Sequence, residues 1–285
     1  MSMTAFQVLN GLTFGALLFV VASGFTLVFG LMRIVNLAHG ALYLLGGYAA
    51  FALTSKGVNF FAALALSAAA VAVAGLFVDR ALLRFVQGYE LRQVLLTLGV
   101  AFVLNDLALV IWGGDTFTVL VPGALQGPLV FGELAYPKYR LFVLLAGALI
   151  YLGLWALLNR TRLGALIRAG VDDAEMVEAM GIDIRRVFVY TFMLGAALAG
   201  AGGALGGAFL SLYPTADSEI LVYSLAVVII GGRGSLGGAA LGALLVGMLA
   251  TFGQVWLPEL AYFVIFGPMA LLLAFRPLGL FGRAA

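Results

Sequence analysis

The 285-residue chain contains no cysteine and a single histidine, His39. The first absence excludes disulfides and thiolate metal sites, and the second argues against an imidazole-built metal centre. Charge is scarce too, at 10% of residues against 64% hydrophobic. A soluble domain carries about 25% charged residues, so this composition, with a mean hydropathy of +1.15, describes a polytopic all-α membrane protein. Its apolar blocks are too long and too continuous for barrel strands. No G-x-x-x-x-G-K-[ST] run occurs, so the chain cannot bind ATP through the usual loop. The series of intramembrane acids expected of a proton-coupled carrier is missing as well. Energy for uphill transport would have to enter from outside the chain. No cleavable signal is evident, because Met1–Asn10 lacks Lys and Arg and the first apolar block is too long for a signal core.

What is present is a series of nine apolar blocks, read as about 8–9 transmembrane helices in one transmembrane domain over 1–285. They run Ala5–Leu31, Leu37–Leu53, Phe60–Val78, Val94–Trp112, Leu141–Leu158, Val187–Leu210, Ile220–Ile230, Leu236–Phe252 and Tyr262–Phe275. The Gly113–Tyr139 connection holds three prolines and several glycines and reads as a loop with one short amphipathic piece. Gly11 and Gly15, and Gly202/Gly206 with Gly203/Gly207, have the spacing of close helix contacts. If the polar segment Asn159–Arg186 is cytoplasmic, alternation places twelve of the fifteen positive residues inside. The N-terminus is then outside and the C-terminus inside. A dip-and-return at either short block, Leu37 or Ile220, would change that parity.

Asn159–Arg186 is the one long polar stretch and is expected to be a cytoplasmic coupling segment. Within it, Val171–Met180 reads as one short amphipathic helix, with Gly170 and Gly181 as its turns and Asp172 and Asp173 at its N-terminus. Ala174, Glu175, Glu178 and Ala179 belong to its surface. About ten residues are too few for a stable isolated helix, so it should be clamped between the membrane domain and a partner.

Two stretches interrupt ordinary spanning helix. One is Arg33–Gly40, where Arg33, Asn36 and His39 break an apolar run; the other is Gly231–Gly238, with Gly231, Gly232, Arg233, Gly234 and Ser235 expected to form a gating discontinuity. Paired interruptions of this kind mark the translocation path in transporters, while the plain alternative for both is a turn at the membrane edge. Asn36, His39, Asn105 and Asp106 are expected to face the bundle interior or a subunit interface, because a charged group on lipid is costly. Gly232–Gly237 matches G-x-G-x-x-G but has no βαβ surroundings and no acid about twenty residues on, so it is not a dinucleotide site.

Four segments carry a family resemblance: Phe29-Gly-Leu-Met-Arg-Ile-Val-Asn-Leu-Ala-His-Gly40, Ala179-Met-Gly-Ile-Asp-Ile-Arg185, Leu198-Ala-Gly-Ala-Gly-Gly203 and Val228-Ile-Ile-Gly-Gly-Arg-Gly-Ser-Leu-Gly-Gly238. The closing Phe275-Arg-Pro-Leu-Gly-Leu-Phe-Gly282 fits too. In their order and spread, the chain resembles the smaller permease of the branched-chain amino acid/amide class of ABC importers. The resemblance implies pairing with a second, related permease, seating on two ATPase subunits that hold ATP and its magnesium, and delivery by a periplasmic solute-binding protein. It implies no cofactor on this chain and no nucleic-acid partner, and it places the protein in the bacterial inner membrane. Members handle branched-chain and other amino acids, amides, urea and some organic acids, and selectivity would rest mainly with the delivering protein. Two other classes remain. A passive channel would transport without ATP, and an integral membrane enzyme would have to use His39 with Asp106.

Overall fold

The structure, a computed structural model, describes residues 3–32, 35–86, 88–131, 134–232, 234–276 and 279–281. Its helices in chain order are α1 (Met3–Met32), α2 (His39–Ser55), α3 (Phe60–Ala81), α4 (Glu90–Trp112) and α5 (Lys138–Arg160). They continue with α6 (Arg162–Asp172), α7 (Ala174–Ala179), α8 (Ile184–Phe209), α9 (Ala216–Gly231), α10 (Leu236–Trp256) and α11 (Ala261–Phe275). Each of the nine apolar blocks becomes one helix. Six of these are long and apolar enough to cross a membrane, while α2, α9 and α11 have 17, 16 and 15 residues. The chain is an all-α polytopic membrane protein.

Short polar residues set several helix starts by taking a first-turn N–H. Asn59 accepts from Phe61 N at 2.9 Å, Thr161 from Gly164 N at 3.1 Å, Asp183 from Arg186 N at 3.3 Å and Ser235 from Gly238 N at 3.0 Å. Each satisfies a donor that the helix itself cannot. The Gly113–Tyr139 connection differs from the expected loop. It contains an antiparallel ribbon, β1 (Pro128–Phe131) with β2 (Leu134–Pro137), and is bridged to the α8–α9 connection by Phe117 N→Leu212 O at 2.9 Å and its reciprocal at 2.7 Å. Thr13 and the ribbon's Tyr136 share a hydroxyl hydrogen bond of 2.9 Å, which ties this cap to α1.

α1 and α8 are mostly buried and form the centre, whereas α3, α4 and α5 are mostly exposed and form the rim. Small residues let the central helices touch. A Cβ on Gly15 would lie 2.9 Å from the Ala243 carbonyl of α10, and a Cβ on Gly203 would collide with the Tyr43 carbonyl of α2. In lipid, where apolar side chains gain little by meeting each other, such close backbone approach supplies the packing.

The two interrupted stretches differ. At the first, His39 Nε2 lies 2.9 Å from the Val21 carbonyl, about 16 Å back along α1 from its end at 1.5 Å per residue. α2 therefore starts inside the bundle. The preceding non-helical backbone is satisfied by side chains, with Leu37 N donating to Thr97 Oγ1 at 3.2 Å and Ala38 N to Asn36 Oδ1 at 3.1 Å, as irregular backbone at depth requires. The second is not an interruption within one helix. Gly231 and Gly242 press against Gly238 and Val227 respectively, so α9 and α10 are antiparallel neighbours joined by a tight turn.

Candidate functional site

The polar segment folds as two helices, which corrects the single helix over Val171–Met180. Asp173 sits between α6 and α7 in extended conformation (φ −154°, ψ 97°), and its Oδ1 accepts the Met176 N–H at 2.9 Å. An aspartate that caps locally competes with helix continuation, and here capping wins. Asp172 accordingly ends α6 and does not open α7. Gly170 is a buried residue within α6 and makes no turn, whereas Gly181, at φ +80°, does turn the chain after α7.

α6 folds back onto the end of α5. Gly164 lies directly on the Leu157 and Leu158 backbone. Arg168 donates Nη1 to the Leu158 carbonyl and to Asn159 Oδ1, the latter at 3.2 Å, so a cation caps the carbonyl end of α5. α7 is attached through Val177, which is 1% exposed, while Met176 and Met180 are 58% and 62% exposed. Glu175, Glu178 and Ala179 are exposed with them, and Ala174 is half-buried. The apolar residues of α7 and its C-cap thus point two ways, Val177 inward and Met176 and Met180 outward.

The α9–α10 turn relies on glycine. Gly232 has φ +97° and ψ 144°, and Gly234 has φ +70°, regions a side chain adopts only under strain. Ser235 caps α10, and Gly231 is the last residue of α9. Arg233 lies outside the described residues. The end of α9 is closed by the C-terminal segment, with Leu280 N→Ile230 O at 2.9 Å and Phe281 N→Gly231 O at 3.1 Å.

These two expected sites meet. A cavity of about 640 Å³ lies at the end of the bundle that carries the polar segment, between α1, α5, α6 and the α9–α10 turn. Arg168, Val171 and Asp172 line one side and Gly234 and Ser235 another, with Thr26 of α1 behind them. Val171 comes within 3.5 Å of where a Gly234 Cβ would be, and Gly30 backs Gly234 from α1. The polar segment therefore leans on the α9–α10 turn.

Of the four intramembrane polar residues, Asn36, His39 and Asn105 are associated with the start of α2, where Gly40 lies against the backbone of Asp217, the partner of Asn105. Asn36 and His39 are buried at 3% and 1% exposure, and both serve the start of α2. Asn105 donates to Asp217 Oδ2 at 2.7 Å. Asp106 lies exposed on the outer face of α4 beside Phe102, Val103 and Val110, so of its two expected places, the bundle interior and a subunit interface, the interior is excluded. The fold does not pair it with the buried His39, so the catalytic pair an enzyme would need is not formed. Asp217, buried at 5% exposure, was missed in the sequence. The available signal was its position, with Glu219, just ahead of the α9 apolar run, where carboxylates favour a helix start.

The family described as "Branched-chain amino acid transport system / permease component" matches residues 7–273. The chain belongs to this permease family. A similar relative is the high-affinity branched-chain amino acid transport permease protein BraD of Pseudomonas aeruginosa, 31% identical over 97% of this chain and 95% of the relative. The corresponding LivH protein of Escherichia coli is 28% identical over the same shares. A probable LivH permease from Methanocaldococcus jannaschii is 26% identical over 85% of this chain and 79% of its own. No solved structure matches. Membership makes the chain a transport permease component.

Proposed function

We propose that this permease forms half of the translocation path of an ATP-driven importer of branched-chain amino acids or related small solutes. The substrate class follows its relatives, whose names specify branched-chain amino acid transport. A second, related permease supplies the other half, two ATPase subunits supply energy, and a periplasmic binding protein delivers the solute. The observation that carries the reading is the approach of Val171 in α6 to the α9–α10 turn, 3.5 Å from where a Gly234 Cβ would stand. An ATPase gripping α7 would move α6, and α6 bears on the turn across the cleft. The outward methionine pair Met176 and Met180 suits a partner's groove, because methionine adapts to uneven apolar surfaces.

The test is to replace Met176 and Ala179 together by Asp and co-purify the assembled transporter. ATPase recovery should fall several-fold and uptake at least tenfold, with permease abundance in the membrane unchanged. Normal recovery with normal uptake would refute the role of α7.

A further inference from the structure

A second cavity, of about 220 Å³, lies at the opposite end of α8 from the polar segment. α8 has 26 residues, about 39 Å of helix, so this cavity faces the outer side when the polar segment faces the cytoplasm. It sits between α1, α2, α9, α10 and the α8–α9 connection, and its lining carries one acid and no base among the described residues. Glu219 stands there with the Tyr213 hydroxyl donating to its Oε2 at 2.7 Å. The ring of Tyr223 packs edge-on against Phe14 at 5.4 Å between centroids, and both line the cavity with Ile220. Tyr43 lines it too, is fully buried, and its hydroxyl has no hydrogen-bond partner among the described residues.

We propose that this cavity is an outer subsite for a zwitterionic apolar amino acid. Glu219 takes the ammonium group, with the faces of Tyr213 and Tyr223 beside it. The Tyr43 hydroxyl donates to the ligand carboxylate, and the Phe14–Ile220 wall receives the apolar side chain. Aromatic faces and a carboxylate attract a cation and lose less in doing so where water is partly excluded. A buried hydroxyl without a partner is costly, and a ligand carboxylate removes that cost through a charge-assisted bond. The volume suits one small solute and excludes a peptide. The proposal rests on the reading of the chain as an amino acid permease and adds a place where the solute is held before the inner cleft opens.

The chain's lack of cysteine gives a direct test on the complete transporter. Gln254, exposed and at the rim of this cavity, is replaced by Cys and its labelling by a membrane-impermeant maleimide is timed from the outer side. Saturating L-leucine should slow labelling at least threefold, and 4-methylpentanoate, which has the same side chain without the amine, should not. Adding Glu219→Gln should remove the protection, and Tyr43→Phe should weaken it. Equal protection by both compounds would reduce the cavity to an unspecific apolar pocket and overturn the proposal. So would no protection by leucine, no labelling from outside, or protection by the delivering protein regardless of its load. Leucine uptake by the transporter without the cysteine is scored separately. Uptake without protection sinks the subsite alone, whereas absence of leucine uptake sinks the functional reading beneath it.

Discussion

Among single residues, the sharpest demands fall on Gly232 and Gly234. Their positive φ values, +97° and +70°, mean that any side chain strains the backbone by about 1–3 kcal/mol. Gly237, two residues into α10, has open space where a Cβ would go, and alanine there should favour helix by up to about 1 kcal/mol. Gly232→Ala and Gly234→Ala should therefore each cut uptake by tenfold or more at matched membrane abundance, with ATPase assembly intact, while Gly237→Ala stays within twofold. Radiolabelled uptake checks this. Equal, mild effects at all three positions would leave an ordinary connection with no part in gating. Asp217 illustrates a different demand. Its carboxyl group, bonded to Asn105 at 2.7 Å and largely out of water, is a polar group kept inside the bundle by a named partner, as intramembrane polar residues are.

Among the helices, the contact of α2 with α8 holds α2 in the bundle. Gly46 rests on Gly200, and Gly203 rests on the Tyr43 carbonyl, so backbone meets backbone with no side chain to yield. Gly203→Ala should force the helices apart at a cost of about 1–3 kcal/mol. The thermal midpoint of the detergent-solubilised complex should fall by several degrees. Gly153→Ala, on the open side of α5 with nothing near its Cβ, should not lower it. Equal midpoints for the two variants would contradict the packing account. The helix pattern itself was legible, because runs of apolar residues this long permit little else in a membrane. The division of the polar segment was not. Asp172 and Asp173 are equally good N-terminal residues on paper, and only the conformation of Asp173 decides which one caps.

At the scale of the molecule, legibility followed how local each signal was. The inner cleft was half legible, since both of its sides were singled out separately, but their meeting across α1 depends on packing that no local pattern encodes. Which of its two expected places Asp106 takes was not legible, because α4 is apolar over most of its length and such a helix does not reveal which face it turns inward. The outer cavity escaped notice because its aromatic residues come from several helices and each reads alone as ordinary core. On the proposed reading these features make a conduit with an acidic, aromatic pocket at one end and, at the other, a turn touched by the polar segment. The decisive measurement is leucine uptake into vesicles holding this permease with its related permease, ATPases and loaded delivery protein, compared with vesicles holding this permease alone. Uptake that requires ATP and the full set of partners, and is absent from the permease alone, is the predicted result; leucine equilibration through the permease alone, without ATP, would contradict it.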